Sequence, residues 1–253
     1  MLNIKNEEGI IIAEFAHGKQ NSITGETLQQ LHDIVKQANE DYAVRGIILT
    51  GAGRTFCGGF DLPMFMGFKD LDEIKTFFAP AEEILLEVFE CKKPVVSAIN
   101  GHAIAGGLIF AMASDYRIAV NHPKITIGMS EIKLGLALSL AQSAVMRFGF
   151  DSDRKFRDMM YFGKMFKVEQ AAEFGIVDQM VSDGTELIPA AKKVVGKWID
   201  NPGRAFTKLK EGIKKPVADR VRQQLATENW IEGFKCFFDK DVRGAIEFVM
   251  SMM

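Results

Sequence analysis

The residues of this 253-residue chain with the plainest chemical potential are a solitary acid and two glycine pairs. Glu131 stands in Ile127-Gly128-Met129-Ser130-Glu131-Ile132-Lys133-Leu134-Gly135, where apolar neighbours should raise its pKa toward neutrality. A carboxyl tuned in this way can take a proton and return it near pH 7. Gly58-Gly59 and Gly106-Gly107 each follow a short apolar strand signal. Glycine lets backbone approach a ligand closely, and the second pair opens an apolar helix pattern whose first amides have no partner inside the helix. Taken singly, such pairs are tight turns or close packing sites.

Several other chemistries lack their residues. Gly51-Ala52-Gly53-Arg54 follows a strand signal but has no third glycine, and neither GxGxxG nor GxxxxGK[ST] occurs. Cys57, Cys91 and Cys236 are odd in number and widely spaced, which argues against a disulfide framework or a cysteine-based zinc site. His17, His32, His102 and His122 have no ligand spacing, so no metal is expected, and Cys57 and His102 read as packed residues. The balance of 31 Lys+Arg against 33 Asp+Glu advertises no nucleic-acid or membrane surface.

The positioning elements follow from periodicity. Strand signals fall at residues 9–15, 45–50, 94–99, 115–119, 125–127 and 176–181, and helical spacing at 25–39, 71–89 and 108–114. Alternation of the two predicts an α/β architecture. Beyond residue 185 only amphipathic stretches remain, at 188–199, 206–214 and 217–238. The division expected is a core over residues 1–185 and a helical region over 186–253. With 47% hydrophobic and 25% charged residues, the chain is composed like a soluble globular protein. The apolar run at 10–13 is short and preceded by two glutamates, so it reads as a strand rather than an export signal, and a reducing, cytoplasmic setting is expected.

Four segments in order sharpen this picture: Phe56-Cys57-Gly58-Gly59-Phe60-Asp61; Ile99-Asn100-Gly101-His102-Ala103-Ile104-Ala105-Gly106-Gly107; Ala113-Ser114-Asp115-Tyr116-Arg117-Ile118-Ala119; and Ser130-Glu131-Ile132-Lys133-Leu134-Gly135-Leu136. Together they resemble the crotonase superfamily of enoyl-CoA hydratases and isomerases, across residues 9–181. The resemblance implies a crotonase-like spiral of ββα units with a C-terminal helical oligomerisation region, in a homotrimer or a dimer of trimers. It also implies an acyl-CoA thioester substrate, coenzyme A being part of that substrate and no separate cofactor being needed.

By motif position, the amides of Phe60 and Gly106 would form an oxyanion hole for the thioester carbonyl. Lys19, Gln20 and Ser22 would belong to the early CoA loop, with Gly58, Leu62, Gly107 and Ile109 also around the substrate. Asp61 and Asp115 would be structural. Of the two acids that family hydratases use, Glu131 is retained, while the other position carries Ile109. The acid expected in dienoyl-CoA isomerases and dehalogenases, eight residues past Glu131, is Ser139.

A single carboxylate facing an enolate hole suits proton transfer. The expected activity is therefore a Δ3-to-Δ2-enoyl-CoA isomerase with Glu131 as its base, walled by Ile109, Phe60 and Met64 or Phe65. Alternatives are an enoyl-CoA hydratase, another single-glutamate decarboxylase or carbon–carbon bond-forming enzyme using an acyl-CoA or acyl-carrier-protein enolate, and a non-catalytic acyl-CoA-binding subunit.

Overall fold

Runs of buried β-branched residues build the centre of the molecule, which a computed structural model describes over residues 1–252. The chain begins with strands β1 (Leu2–Glu7) and β2 (Ile10–Phe15), a hairpin turning through Glu8 and Gly9, both at positive φ. Helix α1 (Gly25–Glu40) follows, its first turn capped by the Thr24 hydroxyl. Strands β3 (Gly46–Gly51) and β4 (Thr55–Cys57) come next, then helices α2 (Leu62–Gly67) and α3 (Leu71–Glu90).

The motif repeats with β5 (Val95–Ile99), β6 (His102–Ile104) and α4 (Gly106–Ala113), and again with β7 (Tyr116–Val120) and β8 (Ile127–Gly128). A 3-10 turn at Glu131–Leu134 leads to α5 (Leu140–Gly149) and α6 (Asp153–Phe162). Strand β9 (Met165–Phe166), α7 (Val168–Glu173) and β10 (Gln179–Val181) complete the sheets.

Two sheets result, one ordered β1-β2-β3-β5-β7-β10 and the other β4-β6-β8-β9. From β3 onward the chain places one strand in the large sheet and the next in the small one, three times in succession, which is the spiral of ββα units that the resemblance implied. In the large sheet only β1–β2 is antiparallel. All residues of β3 and β5 are buried, as parallel strands covered on both faces require.

The remaining chain is helical: α8 (Gly184–Ile199), α9 (Ala205–Thr227), a 3-10 segment at Trp230–Phe238 and α10 (Lys240–Ser251). Helix α8 packs on β3, β5 and β7; α9 packs on α3 and α5; and α10 packs on α2 and the 3-10 segment. Asp115, at the start of β7, takes the Lys210 and Lys214 ammonium groups of α9 at 2.6 and 2.7 Å, all three side chains being buried. Burial opposes the Asp115 charge, but the two ammonium groups overcome it and hold the carboxyl below its usual range. No helix among the described residues is long and apolar enough to cross a membrane.

Several elements depart from the sequence reading. Strand β1 was missed because its residues 3–6 are exposed and only Ile4 among them is apolar, with no alternation to betray an edge strand. Helix α9 continues through Pro216, where periodicity suggested a break. The stretch expected at 217–238 divides into the end of α9 and the 3-10 segment, and α10 went unassigned although Val242, Ala245, Ile246 and Val249 stand at helical spacing.

Candidate active site

The two glycine turns meet. Ile23 bridges Phe60: its N–H donates to the Gly59 carbonyl at 2.8 Å, and its own carbonyl accepts from Asp61 at 3.1 Å. This pairing uses the groups on either side of Phe60, so the Phe60 N–H points away from Ile23 and has no acceptor among the described residues. The Gly106 N–H, first in α4, has none either. Gly59 sits at φ 103°, and a methyl group there would lie 3.0 Å from the Ala105 Cβ and 3.1 Å from the Gly106 nitrogen. Two unpaired amides on touching turns can hold an oxygen that gains negative charge.

Ala105 aims the second amide. It adopts φ 56° and ψ −129°, a conformation costing a residue with a Cβ about 1–3 kcal/mol. Its neighbours pin it there: its N–H donates to Gly128 and its carbonyl accepts from Ile109, both at 3.0 Å.

Glu131 begins the 3-10 turn after β8, with its Oε2 accepting from the Ser130 amide at 2.9 Å. Burial pushes its carboxyl up to about 7, against the opposing pull of backbone amides. Phe60, Gly106, Ile109 and Glu131 line one cavity of about 260 Å³, together with Gln20, Ser22, Gly58 and Leu62. Lys19 lies outside it, in a neighbouring groove with His17 and Pro63 that shares Gln20 and Ser22 with the cavity. Asp61 lies along that groove as well.

Gly107 corrects the reading of the second pair. Its missing side chain faces Cys57, where a Cβ would fall 2.1 Å from the carbonyl oxygen, so this glycine permits packing of α4 on β4 and does not line the cavity. Cys57 is fully buried, with its thiol pushed up to about 12, and His102 accepts the Thr126 amide at 3.1 Å on its Nδ1. Neither lines the cavity.

Phe65, a candidate wall from sequence, does line it. Other wall residues went unnoticed: Phe78 of α3, Gln142 of α5, and Phe234, Phe237 and Val249 from the helical tail. Phe78 meets Phe234 at a centroid distance of 4.5 Å, and Phe65 meets Phe237 at 4.9 Å. The dense phenylalanine content of residues 60–78 and 234–238 was the available signal.

The family model described as enoyl-CoA hydratase/isomerase matches residues 5–250. The chain belongs to the enoyl-CoA hydratase/isomerase family. Within it, the chain is 28% identical over 240 residues to "Enoyl-CoA delta isomerase 1, mitochondrial" of Rattus norvegicus, covering 94% of this chain and 81% of that protein. It is also 26% identical over 259 residues to "Crotonyl-CoA hydratase" of Syntrophomonas wolfei, covering 94% of both. The solved structure of human mitochondrial delta3-delta2-enoyl-CoA isomerase superposes with a TM-score of 0.89 at 25% identity, covering 99% of this chain and 97% of that one. An enoyl-CoA hydratase from Bacillus halodurans shares the enoyl-CoA hydratase/isomerase fold, with a TM-score of 0.84, 21% identity, and coverage of 98% and 99%.

Proposed function

We propose that the chain is a Δ3-to-Δ2-enoyl-CoA isomerase in which Glu131 carries the proton. The observation that carries this reading is the pairing of one acid with one aliphatic side chain: Glu131 and Ile109 line the same cavity, and no other lining residue is charged. Water addition needs a second group to orient and deprotonate the water, and Ile109 can do neither. The rat and human relatives named as isomerases support the same reading, while the crotonyl-CoA hydratase relative makes hydration the activity to test against.

In the proposed reaction the thioester carbonyl accepts from the Phe60 and Gly106 amides. The Glu131 carboxylate removes a proton from C2 of a 3-enoyl-CoA, and the C–H electron pair passes into a dienolate whose oxygen gains charge between those amides. Glu131, now neutral, returns the proton to C4. The C2=C3 bond forms, the C3=C4 bond is lost, and the carboxylate is regenerated. Each amide donor contributes on the order of 3–4 kcal/mol to such a transition state. The CoA portion would lie along the groove holding Lys19, with Gln20 and Ser22 at the junction, and no cofactor besides the substrate's own CoA takes part. A homotrimer or dimer of trimers is the assembly we associate with this reading.

Glu131→Gln tests the proposal. Conversion of 3-hexenoyl-CoA by the wild-type protein should exceed hydration of crotonyl-CoA, and the variant should lose conversion by roughly 10²–10⁴-fold while still binding hexanoyl-CoA. Undiminished turnover in the variant would remove Glu131 from the mechanism, and fast hydration of crotonyl-CoA by the wild-type protein would replace isomerase with hydratase.

A further inference from the structure

One wall of the cavity carries a polar group that the proposed isomerisation does not use. Gln142 is the third residue of α5 and is 8% exposed, and it lines the cavity. Its orientation is fixed by the cap of its own helix: the Ser139 N–H donates to Gln142 Oε1 at 3.2 Å. The amide nitrogen Nε2 therefore points the other way, and no acceptor for it exists among the described residues.

The surroundings tighten this arrangement. The Ser139 hydroxyl donates to the buried carboxyl of Glu82, which also accepts the Ala141 amide at 2.7 Å, and the hydroxyl oxygen accepts the Gln142 backbone N–H at 3.4 Å, so the cap is held from both sides. The place of Gln142 along the cavity follows from the neighbouring spaces. Gln20 and Ser22 are shared with the Lys19 groove, whereas Ala137, Phe234 and Phe237 are shared with a smaller recess that Ser139 lines. Gln142, bonded to Ser139, stands on the side of that recess. There the other walls are largely phenylalanine and leucine.

We infer that Gln142 is a specificity residue whose Nε2 donates to an uncharged oxygen on the acyl chain, a keto or hydroxyl group remote from the thioester. This rests on the acyl-CoA reading above and narrows it to oxygenated chains. A plain chain beside Gln142 would leave a buried N–H donor without a partner, whereas a carbonyl oxygen would satisfy it. A terminal carboxylate fits poorly, because no Lys or Arg lines the cavity and Glu131 lies within it.

Calorimetric binding of saturated thioesters tests this independently of catalysis, since octanoyl-CoA and its 5-oxo and 7-oxo analogues have no double bond to move. The wild-type protein should bind one oxo analogue about 5- to 10-fold more tightly than octanoyl-CoA. Gln142→Glu keeps an acceptor for the Ser139 amide but replaces the donor, so the preference should vanish or reverse. Gln142→Leu should bring the ratio to about one. Equal binding of all three thioesters by the wild-type protein overturns the inference alone, as does a preference that survives both substitutions. Failure to bind any of them would sink the acyl-CoA reading itself, and this inference with it.

Discussion

At the scale of the residue, the proposed isomerisation requires Glu131 to begin each turnover as a carboxylate, although burial pushes its carboxyl up to about 7. Its folded-state pKa lies above the ordinary value, so the group holds its proton to higher pH and the reactive form predominates only above about 7. In a pH–rate profile from 5 to 9, kcat/KM for 3-hexenoyl-CoA should therefore fall about tenfold per unit below that point and level off above it. A flat profile down to pH 5 would mean an ordinary carboxyl or a different base. Glu131 was legible in the sequence because a lone acid among apolar residues is conspicuous, and Ile109 because an aliphatic side chain fills an acid's place. Ala105 was not legible: nothing in an alanine announces a positive φ, which here is imposed by its bonds to Gly128 and Ile109.

At the scale of the element, the contact between the β4 turn and the start of α4 depends on Gly59 more than on any neighbouring side chain. Gly59→Ala puts a Cβ at φ 103° and against Ala105, and should cost roughly 1–3 kcal/mol of stability and about 10² in kcat as the amides part. Gly53→Ala is the matched control. It also lies at positive φ, yet nothing stands within 4 Å of the added methyl group, so it should lose stability alone. Thermal unfolding and steady-state rates on both variants separate backbone strain from loss of the proposed oxyanion hole. The sequence revealed both glycine turns but put Gly107 beside the substrate along with Gly106. Only three-dimensional packing divides them, one amide facing the cavity and one absent side chain admitting Cys57. Similarly, Ser139 was read only as a missing acid; in the fold it caps α5 and orients Gln142.

At the scale of the whole molecule, the cavity is finished by residues far along the chain. Phe234, Phe237 and Val249 reach it because the tail is fastened to the core, and the firmest buried fastening is the Asp115 carboxylate between Lys210 and Lys214. Asp115→Asn would leave two ammonium groups buried with no opposing charge, and a loss of about 3–5 kcal/mol is expected in urea unfolding. If stability were unchanged, the tail must be held by apolar packing alone. The spiral core was readable from strand and helix alternation, but the tail's part in the cavity was not, because it depends on contacts between residues more than 150 positions apart. The same docking supplies the protein with a built-in optical reporter. Of its two tryptophans, Trp198 stacks on Phe206, while Trp230 abuts Phe234, a cavity-lining residue, at 5.8 Å. With Trp198→Phe, the remaining indole should change its emission as a chain slides in, so that occupancy can be followed in real time without any dye.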